Sequence, residues 1–137
     1  MPLLANDTDG AVTRKRIENY ITAKEKVTAV AITNAATPTA AQLLDSKLFV
    51  ATPTEDTTFT LPTAALVLAA LTDEAVGTSF EFTVVNVAAA THPIVVTAGA
   101  SGVTLVGVAA TFSVAAASSA SYVAVFTAAN TVSIYRK

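Results

Sequence analysis

Between Glu81 and Arg136 the chain carries no aspartate, glutamate, lysine or arginine, so residues 82–135 form 54 consecutive uncharged positions. They are mostly Val, Ala, Thr, Ser, Gly and Asn, with a few aromatics. A solvated monomer surface normally intersperses charges of both signs, which keeps molecules apart. A strand-rich segment without any charge predicts that much of its outer face is covered, most simply by further copies of the same chain. The segment contains no catalytic or ligand-binding motif.

The 137 residues suit one domain, long enough to bury most of its apolar surface. The absence of cysteine excludes disulfides, thiolate metal sites and thiol catalysis. Stability must then come from packing and assembly. A formal net charge of -2 provides no field that would steer the protein to nucleic acid or to an anionic membrane, and neither partner is expected. The opening MPLLANDTDG turns polar by Asn6, so no secretory signal is read there. The longest continuous apolar run, residues 64–71, is eight residues, far short of the roughly 20 a membrane-spanning helix needs. Three Tyr, six Phe and no Trp do not supply the aromatic girdles of a membrane barrel, so a soluble protein is expected.

Charge divides the sequence into two parts, an arm over residues 1–26 and a β-rich body over residues 27–137. Nine of the 18 charged residues fall in the arm. Pro2 and the Asp9-Gly10 pair mark its first dozen residues as extended or mobile. A short helix is predicted from Arg14 to about Lys24, with Thr13 as its cap. Ile17, Tyr20 and Ile21 would share one face at i, i+3, i+4 spacing. That face is too small to hold an isolated helix together and needs a surface to lie on. Arg14, Lys15 and Arg16 sit beside Glu18 and two aspartates, which weakens a nucleic-acid reading and favours contact with protein; with Ile17, Tyr20 and Ile21 they are the arm's candidates for contact with a protein partner.

In the body, VTAVAIT at residues 27–33 predicts a strand broken by Thr37-Pro38, and TAAQLL at residues 39–44 a single helical turn. Further strands are expected at residues 47–51 and around Phe59 and Leu61. Pro62-Thr63 then opens a helix of about two turns, with Thr63 as cap. In SFEFTVV, Phe80, Phe82 and Val84 fall on one face and Glu81 and Thr83 on the other. Strands follow at residues 93–98, 103–106, 111–114, 121–126 and 131–135, with turn signals every 8–12 residues or so, as in an all-β sandwich or barrel. The expected fold is therefore all-β: a jelly-roll-like β-sandwich with one short inserted helix and an N-terminal arm. Residues 121–126 are apolar or small on both sides, with Tyr122 and Phe126 opposite Val123 and Val125. Two-sided burial means a central strand or a subunit interface, and all four residues are candidates for a trimer interface. Residues 115–120 are either a close-approach surface at a symmetry axis or a low-complexity loop.

No catalytic, metal or cofactor site is read from the side chains. His92 is the only histidine and has no charged neighbour in sequence closer than Glu81. The pairs Glu55-Asp56 and Asp73-Glu74 read as solvated loop charge, without the oxygen-ligand spacing of a calcium loop. Ser118-Ser119 lacks the glycines of a nucleophile elbow. Gly99 and Gly102 lack the lysine and the following helix of a phosphate loop. An enzyme is not expected.

Five stretches taken together resemble a known family: TAAQLL from Thr39, Thr52-Pro53, FTLPTAALVLAAL from Phe59, VGTSFEFTVVN from Val76, and the closing VSIYRK. They resemble small virion proteins of tailed bacteriophages, particularly of phages infecting aquatic bacteria and cyanobacteria. The resemblance covers residues 39–137 and leaves the arm unmatched. It implies a capsid decoration, or cement, protein: a homotrimeric β-sandwich bound to the major capsid protein on the outer capsid surface of the virion, at threefold or quasi-threefold positions. Similar domains occur in head fibres and tail-associated proteins, so a receptor-binding trimer is the alternative; it would need an exposed cluster of aromatic and amide side chains. The uncharged segment offers few amides for that, Asn86 and Asn130. A secreted adhesin is disfavoured by the opening residues.

Overall fold

The computed structural model describes residues 27–71 and 76–137. The arm, with Arg14, Lys15, Arg16, Ile17, Tyr20 and Ile21, lies outside the described residues, as do Asp73 and Glu74. Nine strands build the body: β1 Val30–Ile32, β2 Leu48–Ala51, β3 Thr57–Thr60, β4 Ser79–Asn86, β5 Ile94–Thr97, β6 Val103–Leu105, β7 Ser113–Val114, β8 Ser118–Ala128 and β9 Thr131–Arg136. They form a six-stranded sheet in the order β1-β2-β4-β8-β9-β6 and a three-stranded sheet in the order β3-β5-β7. The protein is predominantly β, with two sheets enclosing one core.

Local sequence accounts for the punctuation. Thr39 and Gln42 form a reciprocal capping box: the Gln42 backbone N–H donates to Thr39 Oγ1 at 3.1 Å, and the Thr39 N–H donates to Gln42 Oε1 at 2.9 Å. The widely wound turn Gln42–Ser46 follows, buries Leu43 and stops at Lys47, whose φ is 60°. Helix α1, Ala64–Ala69, begins behind Pro62 and is capped by Thr63, which accepts from the Leu66 N–H. Its buried residues, Ala64 and Val67, face the sheets, while Leu66 is exposed. Where a strand was expected at residues 111–114, a turn of 3-10 helix, Ala109–Phe112, drops Phe112 into the core before the two-residue β7. Of residues 115–120, the last three belong to β8 and pair with β4. Ala117 makes the turn into that strand at φ 55°, so the run is neither a loose loop throughout nor wholly a flat face.

A file of rings joins the two layers. Phe49 meets Phe59 edge-on at 4.9 Å, Phe59 continues to Phe82 at 6.4 Å, and Tyr122 lies between Phe82 at 5.1 Å and Phe112 at 5.8 Å. All five rings are at most 1% exposed. Burying rings of this size dominates core energetics, and offset or edge contacts add about 0.5–1.5 kcal/mol per pair.

The pairing directions differ from the sequence expectation. Among the described strands four pairings are parallel (β1 with β2, β2 with β4, β3 with β5, β6 with β9) and three antiparallel. A jelly roll is built of antiparallel ladders, whereas here the chain crosses between layers before most pairings and over half of the ladders are parallel. Gly102 stands at one of these crossings with φ +72°; a Cβ there would collide with the Asn130 carbonyl oxygen and lie 2.8 Å from Ala64 Cβ. The Gly102 carbonyl also accepts from the Val132 N–H at 2.8 Å, so the backbone has little room to move aside. Gly102→Ala is expected to cost well over about 1 kcal/mol, from the positive φ and the collision together. A urea unfolding curve with a clearly lowered midpoint and unchanged slope checks it.

Candidate functional site

The outward face of the six-stranded sheet is where the uncharged segment meets the surface. Strand alternation sends Phe80, Phe82 and Val84 inward, all buried, and Ser79, Glu81, Thr83 and Val85 outward. The β8 register continues these positions across the sheet: Ser79 opposes Val125, Glu81 opposes Val123, Thr83 opposes Ser121 and Val85 opposes Ser119. On the far side Val123 opposes Tyr135 and Val125 opposes Ser133, which in turn opposes Thr104 of β6. On the near side Leu48 opposes Thr83 and Val50 opposes Val85. The result is a field of mainly valine, serine and threonine, with Leu48 on the near side and one aromatic, Tyr135, at 38% exposure.

Charge on this field is limited to one neutral pair among the described residues. Lys137 Nζ donates to both Glu81 carboxylate oxygens, at 3.0 and 3.2 Å. Both side chains are more than half exposed, so the pair contributes at most about 1 kcal/mol. Its effect on the face is to leave it without net charge. Beside it Thr83 Oγ1 and Ser121 Oγ share a hydrogen bond of 2.8 Å, so these two hydroxyls satisfy each other within the sheet.

The same geometry corrects two of the four interface candidates. Tyr122 and Phe126, at 0% and 1% exposure, point into the chain's own core and are not available to another subunit. Only Val123 and Val125 lie on the outward face, half-buried among their cross-strand neighbours. Tyr135 belongs with them by register, and Val106 follows β6 beside it, in the stretch 103–108 that the sequence reads as nearly apolar on both sides. The parity of VSIYRK, with buried Val132 and Ile134 flanking the outward positions, is the signal that marks Tyr135. The stretch from Val103 is an edge strand, with Val103 and Leu105 against the core and Val106 exposed at 42%.

Polar groups elsewhere serve the fold. Asn86 is fully buried: its Nδ2 donates to the carbonyls of His92 at 2.8 Å and Val114 at 3.0 Å, and its Oδ1 accepts from the Ala88 N–H at 3.0 Å. His92 Nδ1 lies 3.3 Å from Asp56 Oδ1 on the surface, joining two loops. Among the described residues no group of three or more His, Asp or Glu side chains approaches closely enough to hold a metal ion. No helix among them is long and apolar enough to cross a membrane. Arg136, paired in register with Tyr122, reaches across to the small sheet, where its Nη1 donates to the carbonyls of Thr111 at 2.6 Å and Ser113 at 3.1 Å.

Tyr122 Oη is buried without a hydrogen-bond partner. Burial pushes its pKa from 10.0 up to about 12, a rise that the nearby Arg136 charge opposes. With the folded value above the unfolded one, this group's contribution to stability is complete below pH 10 and fades as pH rises through about 12. Tyr122→Phe keeps the ring stack and removes a hydroxyl whose desolvation is uncompensated. It is expected to leave stability at pH 7 equal or raised, by up to about 1–3 kcal/mol, and to flatten the alkaline fall. Urea midpoints of both proteins between pH 8 and about 11 measure this.

Comparison of the chain with protein-family models, with curated proteins and with solved structures found no match.

Proposed function

We propose that the protein is a structural component of a phage virion, a capsid decoration protein that assembles as a trimer and stabilises the shell by bridging major capsid protein subunits. The observation that carries this reading is the outward face of the six-stranded sheet, an extended field whose only charges among the described residues, Glu81 and Lys137, cancel each other. Such a face is suited to being covered by another surface without net charge, and a second copy provides one. The resemblance of residues 39–137 to phage virion proteins supplies the biological setting. Burial of Asn86 inside the fold removes one of the two amides that the uncharged segment would offer a glycan-binding trimer, which favours decoration over receptor binding.

Cement acts by differential binding: a ligand that binds only the expanded lattice stabilises that state by mass action. A trimer turns weak single contacts into high avidity through effective concentration. The charged arm, with Arg14, Lys15 and Arg16, is the segment assigned to neighbouring capsid subunits, and the uncharged body to contacts among copies. Deleting residues 1–26 is expected to abolish cosedimentation with capsids stripped of the protein while leaving the trimer assembled. Retention of capsid binding by the truncated protein would contradict this division of roles.

A further inference from the structure

At the edge of the six-stranded sheet, β1 and the crossover that follows it enclose an open groove of about 390 Å³. Its floor is apolar: Val30 and Ile32 pack partly buried against the core, and Phe49 is fully buried beneath them. Pro38 and Ala36 form the opposite wall, where Ala36 bridges to Phe59 of the small sheet. No lining residue is charged. The polar side chains that line it are partly committed elsewhere, since Asn34 Oδ1 accepts from the Thr54 N–H and lies 3.3 Å from its hydroxyl, and Gln42 Oε1 accepts from the Thr39 N–H.

The backbone beside the groove is also open. The Ile32 carbonyl accepts from the Thr52 N–H at 2.9 Å, so Val30 and Ile32 direct their backbone groups toward β2. Ladder alternation then turns the N–H and C=O of Ala31 to the free edge. Folded proteins cover such edges with a helix or loop, or blunt them with charge or proline. β1 itself carries neither charge nor proline.

We propose that the N-terminal segment of the same chain covers this groove, with Ile17, Tyr20 and Ile21 seated on Val30 and Ile32. The described chain begins at Val27, three residues before the groove's first lining residue. From Ile21 to Val27 the chain spans six residues, a reach of about 20 Å when extended. A tether this short holds the three side chains at an effective concentration in the millimolar range, which favours the chain's own segment over any partner free in solution. The spacing of Ile17, Tyr20 and Ile21 creates an apolar face that needs a surface, and the groove is an apolar surface that begins three residues after the segment joins the body. The assignment does not depend on the virion reading.

The test is hydrogen–deuterium exchange on the full chain and on the full chain carrying Ile17→Asp and Ile21→Asp together. The double variant is expected to exchange at least about tenfold faster over residues 30–38, with β4 and β8 unchanged. An unchanged rate over residues 30–38, or a change confined to the outward face of the six-stranded sheet, would overturn the proposal. Protection over residues 30–38 should also survive dilution by about a hundredfold. Its loss on dilution would show that another copy fills the groove and would overturn the same-chain assignment. The fold is monitored in both proteins by the protection of β4 and β8, so a variant that unfolds is recognised as such. Thr33→Asp in the full chain then replaces it, with faster exchange over residues 34–38 expected and none overturning the proposal.

Discussion

Asn86→Ala is expected to destabilise the fold by roughly 3 kcal/mol or more. The side chain is fully buried at the end of β4 and makes three hydrogen bonds with backbone groups of the following loop and of β7. Each neutral bond contributes only about 1 kcal/mol net, but a buried group left without a partner costs about 1–3 kcal/mol in desolvation. Truncation strands the carbonyls of His92 and Val114 and the N–H of Ala88 together. It also unfastens β7 from the six-stranded sheet at the one point where a side chain of β4 reaches it by hydrogen bonds. Asn34 provides the contrast: its Oδ1 lies within hydrogen-bonding distance of the Thr54 N–H and hydroxyl at the surface, where water replaces it. Asn34→Ala should cost less than about 1 kcal/mol. Urea midpoints for the two variants settle the comparison, and similar midpoints would mean that Asn86 does not clamp the layers.

Val123→Asp is expected to abolish assembly while leaving the single chain folded. Val123 stands in the middle of β8, between Glu81 and Tyr135, half-exposed on the outward face. On an isolated chain an aspartate there is solvated and opposes Glu81, a modest like-charge cost of a few tenths to about 1 kcal/mol. In an assembly that covers the face, the same carboxylate becomes a buried charge without a partner, at about 3–5 kcal/mol per copy. The cost recurs in every subunit. Light scattering should report the mass of one chain, with the circular dichroism of the folded protein retained. Leu66→Asp changes an exposed residue of α1, a helix whose buried side packs on the core, and should leave the mass of the assembly unchanged.

Most strands were legible because their alternation is unambiguous where one face is polar. Phe80, Phe82 and Val84 against Glu81 and Thr83 leave a single solution, and Pro62-Thr63 announces α1 with its cap. Legibility failed where both parities are apolar. In β8, Tyr122, Ala124 and Phe126 alternate with Val123 and Val125, and nothing local says which set faces the core. The choice is made by partners distant in sequence, Phe82 and Phe112, whose rings enclose Tyr122. Pairing direction was hidden for a related reason. The parallel ladders β1 with β2 and β2 with β4 require crossings whose course depends on tertiary packing, and short turn signals do not encode it. Asn86 looked like a surface amide because its burial depends on β7, whose Val114 carbonyl it reaches across 28 residues; only its Ala88 and His92 partners are local. The candidate face was half legible: the absence of charge from residues 82–135 pointed to it, but the Glu81–Lys137 pair joins residues 56 apart and emerges only from the fold.

The central claim is that copies of the chain cover the outward face of the six-stranded sheet. The mass of the intact protein in solution, by light scattering at micromolar concentration, tests it most directly. A mass three times the 13.9 kDa of the chain is the predicted result. A mass of one chain, maintained as concentration rises, would contradict it and leave the uncharged face without the occupant assigned to it.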